Sequence, residues 1–272
     1  MRLKSMRNKS ADICCIDKFR RIGENMAVRN FCLMLLFCFQ AVTLAQLQKL
    51  PEPLFYFPFN EGKFEALRGL GLEQPLRVHH QEYIKWVEGP TGKTLYFEND
   101  GEEQKRGMIS CQLPPSFDVK SAFSIVAFVK TPPSLHRSRQ YEIVNFTDHT
   151  SKGPGFRLLI SWRRLWFYLG DGEQLCRPSS NSFELSINPQ QWYHVAAVYD
   201  GQGSAQVYVN GLLQGSCDGV QVKMPIIRKL EMRIGASADQ RSGYGFEGCI
   251  SGLRIYDLAL NAEQIAALAQ LE

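Results

Sequence analysis

From Tyr56 to Leu258 the chain reads as one short run of β-branched and aromatic residues after another. TLYFE (94–98), FSIVAFVK (123–130), YEIVNF (141–146), FRLLISW (156–162), LWFYLG (165–170), YHVAAVYD (193–200) and ISGLRIYDL (250–258) are the clearest. Turn clusters such as ENDGEE, TPPS, SKGPG and DGQGS separate them. Runs of that length and composition, punctuated that way, predict strands. Helical spacing occurs only over Asn261–Leu271, where Ile265, Leu268 and Leu271 recur behind a capping Asn261. Many short strands and one short terminal helix predict an all-β sandwich or barrel.

Two hairpins are marked. Asn210-Gly211 supplies the two positive-φ positions of a tight turn. Arg163-Arg164 separates two alternating runs, so the second turn is expected there. Period-two alternation puts Phe156, Leu158 and Ile160, with Leu165, Phe167 and Leu169, on the core face. Arg157, Leu159, Trp166 and Tyr168 then fall on the opposite face.

The amino-terminal stretch has a different character. Phe31–Phe39 is an unbroken apolar run preceded by Arg29 and followed by Thr43 and Ala45. This pattern predicts a secretory signal within residues 1–45, cleaved after Ala45, with Met26 as the expected true start. The run is shorter than the about 20 residues a membrane span needs. The mature domain is expected over 46–272, secreted or extracytoplasmic. The leader holds eight of the 31 basic residues and three of the 27 acids. The remainder carries 31 − 8 = 23 bases against 27 − 3 = 24 acids, a net charge of −1. Such a body lacks the basic footprint of a nucleic-acid binder.

Four cysteines, Cys111, Cys176, Cys217 and Cys249, remain after the leader. In an exported domain they permit two disulfides in three connectivities, with buried free thiols as the alternative. Their spacing does not suit zinc.

The carboxyl-terminal half carries a specific signature. Trp192-Tyr193-His194-Val195-Ala196-Ala197-Val198-Tyr199-Asp200-Gly201 is followed by Val207-Tyr208-Val209-Asn210-Gly211, Ile234-Gly235, Phe246-Glu247-Gly248-Cys249-Ile250 and Leu253–Asn261. This series resembles the laminin-G-like, concanavalin A-like domains, over roughly residues 54–271. The resemblance implies a jelly roll of two antiparallel sheets and a function in binding glycans, proteins or surfaces. Many such domains hold calcium at the rim. Here Ser251-Gly252 stands where the family has acids, so no metal cofactor is expected, and Asn60 and Glu61 are the remaining weak ligand candidates. Because first and last strands lie close in these sandwiches, the resemblance pairs Cys111 with Cys249. Cys176 and Cys217, both in the middle of the chain, form the other expected pair.

Glu98, Asp100 and Glu103 fit E-x-D-x-x-E, the catalytic pattern of family 16 glycoside hydrolases, which share this sandwich class. Retaining hydrolysis needs two carboxyls about 5–5.5 Å apart. Asn99-Asp100-Gly101 is a turn signal, however, and favours a solvated loop. His79-His80 point to opposite strand faces and make a poor metal pair. Arg157, Trp166 and Tyr168 are the expected ligand-binding residues, since aromatic rings stack on sugars and Arg grips carboxylates or sulfates. Asn145-Phe146-Thr147 is a glycosylation sequon. The expected function is an exported, non-catalytic binding or adhesion module for a glycan or an extracellular protein. A glycoside hydrolase or lyase on the same fold is the alternative.

Overall fold

The computed structural model describes residues 50–90, 92–99, 106–114, 116–137, 139–147, 153–180, 187–219, 230–237 and 244–271. The leader over residues 1–45, and Asp100 and Glu103 of the carboxylate motif, lie outside the described residues.

The strands are β1 (Phe55–Phe57), β2 (Arg77–His79), β3 (Ile84–Gly89), β4 (Gly92–Glu98), β5 (Met108–Gln112), β6 (Phe123–Lys130), β7 (Tyr141–Thr147) and β8 (Gly155–Ser161). They continue with β9 (Arg164–Gly170), β10 (Leu175–Cys176), β11 (Trp192–Tyr199), β12 (Ala205–Val209), β13 (Leu212–Cys217), β14 (Glu231–Ile234) and β15 (Glu247–Tyr256). Helix α1 spans Ala262–Leu268. Its cap is reciprocal: Asn261 Oδ1 accepts from the Gln264 N–H, and Gln264 Oε1 accepts from the Asn261 N–H. No helix among the described residues is long and apolar enough to cross a membrane.

Two antiparallel sheets result. One runs β13-β12-β11-β6-β15-β4-β3, with β1 also paired to β15. The other runs β10-β9-β8-β7-β14-β5-β2. Strand β15 serves two partners on one side because it bulges between Ser251 and Arg254. Before the bulge it pairs with β4, and after it with β1. Gly252 adopts φ 56 there and donates its N–H to the Pro58 carbonyl. The departure Ser251-Gly252 is thus a structural device: glycine takes the left-handed residue of the bulge.

The core lies between the sheets. Phe156, Leu158, Ile160, Leu165, Phe167 and Leu169 all face it, as their alternation predicts. Phe123 of β6 is its hub. Its ring lies 5.3 Å from Phe156, 5.8 Å from Phe117, 5.8 Å from Tyr199 and 6.1 Å from Phe167. These tilted and edge-on contacts join β6 and β11 of one sheet to β8 and β9 of the other.

The turn Asn210-Gly211 forms as expected, with φ 50 and 79. The β8–β9 turn sits one residue earlier than expected. Ser161 pairs with Arg164, so Trp162 and Arg163 are the turn residues, at φ 53 and 60.

Truncating the hub tests the core directly. We expect Phe123→Ala to destabilise the domain by about 3–5 kcal/mol in denaturant unfolding. A loss below about 1 kcal/mol would show that the rings do not hold the sheets together.

Candidate functional site

Once the core faces are fixed, the outward faces of β8 and β9 follow. Arg157 lies opposite Tyr168, and Leu159 opposite Trp166. The three expected ligand-binding residues therefore share one outward face of the seven-stranded sheet. Trp166 and Tyr168 are 6.1 Å apart between ring centres. The Trp166 indole N–H donates to the Ser161 carbonyl at 3.1 Å, which fixes the ring.

Two of the Arg157 guanidinium nitrogens are engaged within the fold. Its Nε and Nη2 donate to the Glu142 carboxylate, and Nη2 also to Gln140 Oε1. Glu142 is fully buried. Burial raises its carboxyl pKa, and Arg157 and Asn145 oppose that rise. The Arg157 guanidinium sits between Tyr168, at 5.3 Å, and Tyr244, at 5.6 Å. It neutralises a buried acid and stiffens the aromatic face; leaving either member of such a pair alone costs about 3–5 kcal/mol. The sequon residue Asn145 is also fully buried, with its amide on Glu142, so it presents no glycan acceptor in the fold.

The exposed cations of the face are different residues. Arg177, just beyond β10, lies 6.0 Å from the centre of Tyr168. Arg137 lies 6.0 Å from the centre of Trp162. Trp162 is 60% exposed at the hairpin tip. A bulky residue at positive φ is strained, by an amount of order 1–3 kcal/mol. The neighbouring Arg163 holds the turn: its Nε donates to the Ile187 carbonyl at 3.2 Å, and its Nη2 reaches Asn188. Sequence reasoning missed Trp162 because it read that residue as the last of the strand. The available signal was a two-residue hairpin lacking Gly, Asn and Asp.

The remaining candidates separate. Glu98 ends β4 on the outer face of the other sheet and is ion-paired with Lys85 at 2.5 Å. Asn99 beside it is structural, its amide bonding the Gly107 and Gly235 carbonyls and accepting the Gly107 N–H. Both carboxylate oxygens of Glu61 are buried without a hydrogen-bond partner among the described residues, whereas Asn60 is exposed. Calcium takes six to eight oxygens, usually including several carboxylates. Among the described residues no three His, Cys, Asp or Glu converge.

All four described cysteines are free thiols. The expected pair Cys111–Cys249 is split between the two sheets. Cys111 sits opposite Met232 and faces the core from the seven-stranded sheet. Cys249 alternates with the core residue Ile250, so it faces outward from the other sheet, opposite Tyr96. Burial pushes these thiols up, to about 12 and about 11. Sheets packed about 10 Å apart cannot be bridged from those positions.

A concavity of about 440 Å³ lies on the outer face of the eight-stranded sheet. Phe128, Trp192, His194, Asn210, Leu212 and Ala266 line it. His194 is 2% exposed, stands edge-on to Phe128 at 5.0 Å, and has no hydrogen-bond partner among the described residues on either ring nitrogen. Burial, with Arg254 nearby, pulls its pKa down to about 3.

Residues 106–266, more than half of the chain, match the family model of the concanavalin A-like lectin/glucanases superfamily. Among solved structures, the binding domain of Paraclostridial Mosquitocidal Protein 1 is similar at 17% identity and TM-score 0.61, covering 80% of this chain and 51% of that one. The botulinum neurotoxin serotype D binding domain matches at 16% identity and TM-score 0.59, covering 80% and 51%. The serotype G binding domain matches at 16% identity and TM-score 0.61, covering 80% and 50%. The chain thus spans about half the length of these structures, and at such identities the likeness is one of fold. No curated protein matches the sequence.

The depressed His194 pKa sets a pH dependence with a definite sign. The unfolded imidazole takes a proton near pH 6.5, while the folded one stays neutral to about 3. Stability is therefore complete above pH 6.5 and falls as pH drops toward 3. The loss from this group reaches about 2 kcal/mol by pH 5. Denaturant unfolding of wild type and His194→Leu from pH 7.5 to 5 should show the variant's slope reduced by that amount; parallel slopes would reject the assignment.

Proposed function

The chain belongs to the concanavalin A-like lectin/glucanases superfamily, and on that premise we propose that it is an exported, non-catalytic binding module for an acidic glycan. The recognition surface is the outward face of β8 and β9 with its hairpin tip. One observation carries the reading: Trp162 is held 60% exposed, at positive φ, with Arg137 against its ring. An exposed aromatic stacks on a sugar ring at little entropic cost, and a nearby guanidinium attracts a sulfate or carboxylate. Arg177 over Tyr168 repeats the arrangement on the same face.

Three further points support it. The structural neighbours are described as binding domains, and they carry the same sandwich. Glu98 is neutralised by Lys85, a poor setting for a catalytic carboxyl. Export rests on the apolar run Phe31–Phe39 behind Arg29.

The test is an array of sulfated and sialylated oligosaccharides beside their neutral counterparts, probed with secreted protein. The amino terminus of that protein should read Gln46; an intact leader would overturn export. Acidic glycans should bind, and more weakly as ionic strength rises. Trp162→Ala should weaken binding about tenfold, equivalent to about 1.4 kcal/mol, without lowering the thermal midpoint, since the strain at φ 53 persists or eases. Equal binding of neutral glycans, or an unchanged affinity in Trp162→Ala, would overturn the reading.

A further inference from the structure

Strands β10 and β13 end their respective sheets. Cys176 of β10 lies directly opposite Leu169, a fully buried core residue. Cys217 of β13 lies directly opposite Ala205, also fully buried. Residues directly opposite in an antiparallel pair share a face. Both thiols therefore turn inward from terminal strands of the two sheets, and there they meet. The Cys176 thiol approaches the Cys217 carbonyl oxygen at 3.6 Å. Strand β13 is pressed against the chain that follows β10: a Cβ on Gly215 would stand 2.1 Å from the Ser179 carbonyl oxygen.

We propose that Cys176 and Cys217 are a disulfide-forming pair that staples the two sheets at this edge, while Cys111 and Cys249 stay thiols. This inference is independent of the glycan reading. The oxidant is a small-molecule disulfide such as oxidised glutathione. Cys217, the more accessible thiol, loses its proton and attacks one glutathione sulfur, and the other glutathione leaves as thiolate. Cys176 then loses its proton and displaces the second glutathione from Cys217. Two protein thiols are oxidised, one small disulfide is reduced to two thiols, and the two released protons end on them. Burial disfavours the Cys176 thiolate, so the second step requires a brief opening of the two-residue strand β10.

The staple has a consequence for the outward face. Arg177 directly follows Cys176 and lies over Tyr168. Oxidation therefore fixes the backbone that presents this cation.

The test is peptide mapping of the full chain, treated with oxidised glutathione while folded and then alkylated. A peptide pair joining Cys176 to Cys217 is expected, lost on reduction, with Cys111 and Cys249 alkylated only after denaturation. The oxidised protein should melt roughly 5–15 °C above the reduced protein. Cys217→Ser should abolish both the cross-link and that difference, and its midpoint should match reduced wild type. Separate alkylation of Cys176 and Cys217 after oxidation, or linkage of either to another cysteine, would overturn the pairing. If Cys217→Ser fails to fold, the oxidised and reduced wild-type midpoints give the same comparison, and equal values count against the staple.

Discussion

The closure of two antiparallel sheets over the rings around Phe123 decides where every other side chain goes. Strand side chains alternate strictly, so a face committed to the core commits the other to the outside. With Phe156, Leu158 and Ile160 inward, Arg157 and Leu159 can only be outward. With Leu165, Phe167 and Leu169 inward, Trp166 and Tyr168 must join them on the same surface. A slip of one residue in either strand would bury the arginine and expose the phenylalanines. The burial of Phe123 against both sheets therefore sets the register from which the aromatic face is built.

That face is organised around a buried charge. Glu142 has no access to solvent, and an isolated ionised carboxylate there would be prohibitive. Arg157 supplies the counter-charge and in turn packs between Tyr168 and Tyr244. Charge neutralisation and ring orientation are thus one arrangement. The most exposed residues lie at its margins, Trp162, Arg137 and Arg177, while Trp166 and Tyr168 are half-buried. The division is physical: the central cation already has its partner, whereas the peripheral aromatic projects from a strained turn.

Much of this was legible in the sequence, for reasons that differ by element. The sandwich, the hairpin at Asn210-Gly211 and the cap at Asn261 follow from local rules that tertiary packing reinforces. The shared face of Arg157, Trp166 and Tyr168 follows from alternation alone. What alternation cannot supply is the partner of a side chain. The use of Arg157 by Glu142 depends on β7 lying beside β8, which is a topological fact. The same holds for Cys249. Its strand does lie beside β1, but Cys111 belongs to β5 in the opposite sheet. The turn at Trp162 was misplaced by one residue because tryptophan is a strand former and gives no sign of positive φ. At Ser251-Gly252 the sequence alone shows only missing acids, whereas the structure shows the bulge that lets β15 change partners.

Under the proposed function, ligands meet the β8–β9 face and not the rim near Asn60, Glu61 and Ser251. Hydrogen–deuterium exchange with and without a saturating sulfated oligosaccharide tests it most directly. The account predicts added protection over residues 157–168 and around Arg177, with residues 60–61 and 251–252 unchanged. Protection confined to that rim, with the hairpin exchanging as before, would contradict it.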